Sequence, residues 1–162
     1  MRRLLVAMLG LLASAPAPAW ADTARAELKD AQGNIVATAT LTDANGGVRI
    51  ALRASGLKPG AHGFHIHAVG VCEPPAFTSA GGHFNPRTKK HGHKNPEGAH
   101  AGDLPNLTVG ADGTGSIETP AAGVALKDVA GLALVIHADP DDETTDPTGN
   151  SGARVACGAI TK

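Results

Sequence analysis

From Thr23 onward the chain is broken at short, regular intervals by turn signals, and between them polar and apolar residues alternate. Ala24-Arg25-Ala26-Glu27-Leu28-Lys29 sets small or apolar residues against charged ones, the pattern of a half-buried strand. Gly33-Asn34 leads into Ile35 to Thr42, which is rich in β-branched residues, and Asn45-Gly46-Gly47 leads into Val48 to Ala54, with Val48, Ile50 and Leu52 on one face. Lys58-Pro59-Gly60 turns the chain into Ala61 to Ala68. Strand signals resume at Leu107-Thr108-Val109, turn at Asp112-Gly113 and continue through Ser116-Ile117-Glu118. The continuous apolar run Gly131 to Ile136 reads as a buried strand, and Arg154 to Ile160 as the last one. There is no heptad pattern, no internal repeat and no long amphipathic helix. The pattern predicts an all-β fold, an antiparallel sandwich or barrel.

Two stretches do not alternate. Val69 to Asn106 is rich in proline, glycine and polar residues, and Ala138 to Gly152 is a second structureless segment. Loops this long in a compact domain are functional or disordered. The cysteine and histidines in the first argue for order by tethering.

The first twenty-one residues are set apart from the fold. Arg2 and Arg3 form a positive n-region, Leu4 to Ala13 an apolar h-region, and Ala19-Trp20-Ala21 a small-x-small cleavage pattern. The apolar run is too short to span a bilayer as a helix, and no cysteine follows it to take a lipid anchor. The expectation is a signal peptide over residues 1–21, cleaved after Ala21, and one domain over residues 22–162 in the periplasm or outside the cell, without a stable membrane anchor. Without Arg2 and Arg3, 12 basic residues stand against 15 acidic ones, a formal charge of -3. That balance argues against a nucleic-acid partner, which calls for a basic surface. Phe64, Phe77 and Phe84 are the only aromatic rings beyond the signal, too few for a stacking platform. In an exported chain the even pair Cys72 and Cys157 reads as a disulfide.

Seven of the eight histidines lie between His62 and Asp103, and the eighth, His137, ends the late apolar run. Neutral imidazole is the commonest metal ligand at physiological pH. With Asp103 three residues after His100, the donor mixture suits zinc or copper better than calcium or magnesium. His65 and His67 are two apart on a strand, so both leave one face while Phe64 and Ile66 face the core.

The segments Gly63-Phe64-His65-Ile66-His67, Gly82-His83-Phe84-Asn85-Pro86, His100-Ala101-Gly102-Asp103-Leu104 and Gly149-Asn150-Ser151-Gly152-Ala153-Arg154-Val155-Ala156-Cys157-Gly158 resemble the copper/zinc superoxide dismutases. The resemblance spans nearly all of the chain beyond the signal. It implies an eight-stranded antiparallel Greek-key barrel, the family being itself a standing example of Ig-like sandwich architecture, with two long functional loops. It implies disproportionation of superoxide by one copper and one zinc per chain. His65, His67, His83 and His137 match the copper ligands, and His83, His91, His100 and Asp103 the zinc ligands, so that His83 bridges the two metals. Arg154 matches the arginine beside the open copper face, with Arg154 and His83 as the catalytic pair. Asp141 matches a carboxylate linking one copper-ligand and one zinc-ligand histidine, and Thr148 a channel-lining threonine.

Three residues have competing roles: for Arg154 the alternative is a strand-end charge in solvent, against which its place in Arg154-Val155-Ala156-Cys157-Gly158 speaks, and the other two are histidines. His93 lies two residues from His91 and is an alternative zinc ligand, although the spacing from His83 favours His91. His62 resembles a family histidine that hydrogen-bonds the backbone. Substrate guidance would fall to local charges, with Lys89, Lys90 and Lys94 as candidates against an acidic second loop. The loop between Cys72 and His83, which makes dimer contacts in parts of the family, leaves the choice between monomer and homodimer open.

Overall fold

The computed structural model describes residues 22–162. The expected signal peptide, residues 1–21, lies outside the described residues. Eight strands make up the fold: β1 (Thr23–Lys29), β2 (Ile35–Ala44), β3 (Gly47–Ala54), β4 (Gly60–His67), β5 (Asp103–Val109), β6 (Gly115–Ala122), β7 (Ala133–His137) and β8 (Arg154–Ala159). They pair antiparallel around a closed barrel in the order β1-β2-β3-β6-β5-β4-β7-β8. The jumps from β3 to β6 and from β4 to β7 are Greek-key crossings. Closure removes every exposed sheet edge.

The alternation read in the sequence is the alternation of burial. Ala24, Ala26 and Leu28 on β1, and Val48, Ile50 and Leu52 on β3, are buried in the barrel, while Arg25, Glu27 and Arg49 face outward. Phe64, Ile66, Leu104, Leu107, Leu134 and Ile136 complete the interior. β7 has no polar outer face because it is covered on both sides. Leu134 and Ile136 point into the barrel, and Ala133 and Val135 pack outside it with Phe77, Ala80 and Cys157. This second cluster lies beneath the loop pinned by the Cys72–Cys157 disulfide, whose Cα atoms are 5.6 Å apart across 85 residues of chain. In the chain-entropy view, a loop that long is worth about 4–5 kcal/mol as an upper figure.

Three elements differ from expectation. The first loop ends at Gly102 and not at Asn106, because β5 starts four residues earlier than its apolar pattern. Pro105 hides this start, since it cannot donate to a ladder. The pairing of β4 with β5 slips between His62 and Phe64, which sit opposite Leu107 and Leu104, so Pro105 and Asn106 occupy the slip. A 3-10 turn at Thr78–Ala80 and a one-turn helix, α1 (Leu126–Val129), also interrupt segments expected to be irregular. α1 is held at its start by two carboxylates: Asp128 accepts the Ala125 N–H at 2.9 Å, and Asp43 accepts the Leu126 N–H at 2.8 Å.

Candidate metal centre

β4 lies between β5 and β7, and the candidate site is built on its outer face. Phe64 and Ile66 enter the core, so His65 and His67 point away from it, yet both are buried because the two long loops close over them. Register brings partners alongside. His65 pairs with Asp103 on β5, His137 on β7 pairs with Arg154 on β8, and His83 reaches the strand edge through a bridge to His67. The first loop is sewn to β4 through Gly102. Ile66 N–H donates to the Gly102 carbonyl at 2.9 Å, Gly102 N–H to Phe84 at 2.8 Å, and Phe84 N–H to Ile66 at 2.8 Å. A Cβ at Gly102 would strike the Ile66 carbonyl, so this close crossing requires glycine.

Among the described residues the donors gather into a triad, His65, His91 and Asp141, and two sets of four. His65, His67, His83 and His137 form one, and His83, His91, His100 and Asp103 the other; within each, one ligand atom per residue lies within 4.8 Å of all the others. All seven side chains are buried. His83 belongs to both. Its Nδ1 is 2.9 Å from Asp103 Oδ1, and the Nδ1 atoms of His91 and His100 lie 3.1 Å from the same oxygen. On the other side, His67 Nε2 and His137 Nε2 face each other at 3.3 Å, and the His65 and His83 rings stack with centroids 3.9 Å apart.

The outward-facing ring nitrogens are held separately. His65 Nε2–H and His91 Nε2–H donate to the two oxygens of Asp141, at 2.6 and 2.9 Å. His67 Nδ1–H donates to the Gly81 carbonyl at 2.9 Å, and His137 Nδ1–H to Gly152 at 3.3 Å. A proton fixed on the outer nitrogen leaves the inner one as a bare lone pair. Two of those inner atoms, His65 Nδ1 and His83 Nε2, are buried with no hydrogen-bond partner. Buried polar atoms are rarely left orphaned, and a metal ion is one partner that resolves them. The residues therefore fit the two ions. Four imidazole nitrogens suit copper, and three nitrogens with one carboxylate oxygen are a normal tetrahedral zinc set.

Electrostatics divides the two sets. Burial drives the His67 imidazole down to about 2, His83 to about 4 and His137 to about 3, with neighbouring histidines adding to the effect on all three and Arg154 on His67 and His137. These rings are neutral lone-pair donors at neutral pH. Burial also opposes charge on His91, but its hydrogen bonds to Asp103 and Asp141 outweigh that and raise it to about 9. Burial opposes ionisation of Asp103 and Asp141 too, yet the histidine N–H groups hold both well below the usual carboxylate range.

A cavity of about 380 Å³ opens onto the first set, lined among others by His67, His83, His137, Thr148 and Arg154. The Arg154 guanidinium is held at its wall by the Phe77 carbonyl at 2.6 Å from Nη1 and the Gly81 carbonyl at 2.5 Å from Nη2. Thr148 is exposed at the mouth. His93 is exposed and spends its Nε2–H on the Asp103 carbonyl at 3.2 Å, outside both donor sets. His62 meets the carbonyls of His137 and Lys58 at 2.7 Å each and is structural in its contacts. Of the lysines considered for guidance, Lys90 lies 3.6 Å from Asp146 and Lys94 3.0 Å from Glu143, so their charges are partly matched. Sequence reasoning missed Asn106 and Asp146, which support the site from 35 and 55 residues away in the chain. No local signal marks either.

A closed β-barrel carrying two buried donor sets that share one imidazole defines a protein built to hold a pair of metal ions. The sequence model of the family described as copper/zinc superoxide dismutase matches residues 32–160. A Cu-Zn superoxide dismutase of Aquifex aeolicus, the second of that organism, is 48% identical over 146 residues, covering 85% of each chain. The Cu/Zn superoxide dismutase of Brucella abortus superposes with a TM-score of 0.76 at 33% identity, over 86% of this chain and 99% of that one. A superoxide-dismutase-like protein of Bacillus subtilis superposes at 0.78 with 43% identity, over 83% and 96%. The chain belongs to the copper/zinc superoxide dismutase family.

Proposed function

We propose that the protein disproportionates superoxide: two superoxide anions and two protons give one dioxygen and one hydrogen peroxide. The observation that carries this reading is the pair of buried, orphaned atoms His65 Nδ1 and His83 Nε2, the second on a ring that lines an open cavity whose wall holds a fixed guanidinium. His65, His67, His83 and His137 would hold copper, and His83, His91, His100 and Asp103 would hold zinc. Copper there supplies one-electron oxidation and reduction, and zinc a redox-inert charge that fixes geometry.

The chain's own residues supply the rest. Arg154 binds the small anion, because a guanidinium does not titrate away at any working pH. Its two carbonyl contacts prevent it from swinging out. His83 is the only ligand placed between the two donor sets, so its Nε2, facing the cavity side, is the atom that takes and returns a proton. Asp141 keeps His65 and His91 in one tautomer. Thr148 narrows the mouth beside Pro147.

The proposal extends to export of the chain with cleavage after Ala21 and residence in the periplasm or outside the cell. The Cys72–Cys157 disulfide supports this, since such bonds persist in oxidising compartments. Among the described residues no helix is long and apolar enough to cross a membrane. N-terminal sequencing of the exported protein tests the cleavage point, and a start other than Asp22 moves it.

The test of activity is metal analysis with superoxide-dependent turnover, before and after copper addition. One copper and one zinc per chain, with turnover that follows copper, is the expected result. Two zincs that copper does not displace, without turnover, would make the protein a metal buffer. Arg154→Ala should keep both metals and lose roughly ten- to a hundredfold in rate, the scale of a lost charged contact.

A further inference from the structure

The outer nitrogens of the ligand histidines are assigned to partners with one exception. His65 and His91 use Asp141, while His67 and His137 use main-chain carbonyls. His83 turns both of its nitrogens inward. That leaves His100 Nε2, which has no direct hydrogen bond. The group facing it is Asp146 Oδ1 at 3.9 Å.

Asp146 does more than face that ring. Its Oδ1 accepts the His91 backbone N–H at 2.7 Å, and its Oδ2 lies 3.6 Å from Lys90 Nζ. The neighbouring contacts run the same way. Lys94 N–H donates to the Glu143 carbonyl at 3.0 Å, Asn95 Nδ2–H to the Thr144 carbonyl at 3.3 Å, and Lys94 Nζ pairs with Glu143 at 3.0 Å. The acidic segment that follows β7 therefore lies along the basic segment containing His91.

We propose that Asp146 is a positioning residue of the zinc site, anchoring the His91 main chain and holding the His100 ring with its proton outward. This rests on the reading that His83, His91, His100 and Asp103 hold zinc. A carboxylate facing Nε2 favours the proton on that nitrogen, which leaves Nδ1 free beside Asp103, 3.1 Å away. Asp141 does this for His65 and His91, and Asp146, further along the same loop, does it for His100. Pro147, directly after it, fixes the backbone there and donates no competing N–H.

The test uses the full chain, stripped of metal and reloaded. Asp146→Asn retains an acceptor for the His91 N–H but removes the charge facing His100, and Asp146→Ala removes both. Zinc affinity is read by competition with a chromogenic chelator. Cobalt(II) placed in the zinc site reports on the ligands through its visible spectrum and the shifted His100 Nε2–H resonance. Asp146→Asn is expected to weaken zinc about tenfold and Asp146→Ala about a hundredfold, the range seen when partners of metal ligands are removed. The His100 resonance should move or exchange faster in both, with copper affinity unchanged. Wild-type zinc affinity and an unaltered cobalt spectrum in Asp146→Asn would overturn the proposal alone. A wild-type protein that takes neither zinc nor cobalt would overturn it together with the metal assignment. Because the Asp146 side chain is about one-third exposed, the substitution leaves the core intact.

Discussion

Asn106 and Asp141 are clasped by two reciprocal hydrogen bonds. Asn106 Nδ2–H donates to the Asp141 carbonyl at 2.9 Å, and Asp141 N–H donates to Asn106 Oδ1 at 2.8 Å. The slip in the β4–β5 pairing leaves the Asn106 side chain free to leave the ladder and reach the second loop. Asp141 in turn fixes one histidine of each donor set, so one amide sets the frame for both. Asn106→Ala should weaken copper and zinc together, by about ten- to a hundredfold each, as chelator competition would show. Asn106→Asp keeps the acceptor and loses the donor, and should fall between. Loss confined to one metal would contradict the clasp.

The disulfide acts on Arg154 through main-chain oxygens. Cys72 ties its loop to β8, and that loop carries the Phe77 and Gly81 carbonyls that receive Arg154. Gly81 also receives His67, a member of the four-histidine set. Reduction, or Cys72→Ser, should therefore lower copper affinity about tenfold and slow turnover, while zinc affinity stays within twofold. The melting temperature should fall as well, since the loop entropy returns to the unfolded chain. Unchanged copper affinity in a folded, reduced protein would break the link.

How much of this could be read from the sequence depends on the range over which each feature is encoded. β1 and β3 were legible because alternation is local and the barrel buries one face throughout. β7 was legible as buried, but the cause, a second apolar cluster beneath the disulfide loop, involves Phe77, Ala80 and Cys157 from far apart in the chain. The start of β5 was hidden by Pro105, whose missing donor is tolerated only because the register slips there. The donor residues stood out by type and by their resemblance to a family. Asn106, Asp146 and the Lys90 and Lys94 pairings did not, because a single amide or carboxylate has no pattern until the fold supplies its partner.

Gly149 stands where two side chains leave no room. Its φ is +62°, and a Cβ there would fall on Asp141 Oδ1 and lie 2.6 Å from His91 Nε2. Gly149→Ala should cost roughly 1–3 kcal/mol from the left-handed backbone. It should also push Asp141 off His91 and weaken zinc. Gly33, with φ of +88° and nothing within 4 Å of a built Cβ, is the control. Gly33→Ala should show the backbone cost, in thermal or denaturant melts, with zinc affinity unchanged. Equal zinc loss in both variants would attribute the effect to stability and not to contact.

The contrast between His91 and the other rings predicts how each metal exchanges protons on binding. In the metal-free protein at pH 7, His91 is raised to about 9 and carries a proton between Asp103 and Asp141. His67, His83 and His137, lowered to between about 2 and 4, stay neutral with a single N–H each. A ligand atom must be bare, so zinc taken up alone at pH 7 should release the extra proton of His91 and copper taken up alone close to none, while the second ion to enter displaces the remaining N–H of the shared His83 as well. Zinc affinity should rise up to about pH 9 and then level off. Stability of the metal-free protein runs the other way for His91. A folded value above the unfolded 6.5 stabilises fully below pH 6.5 and is lost as the pH climbs through 9. The three lowered rings stabilise above 6.5 and lose that contribution as the pH falls towards 4 and below. Stability should therefore decline on both sides of neutrality. Calorimetry in buffers of different ionisation enthalpy counts the protons. Equal release for the two metals, each added alone to the metal-free protein, would mean that His91 is not charged there.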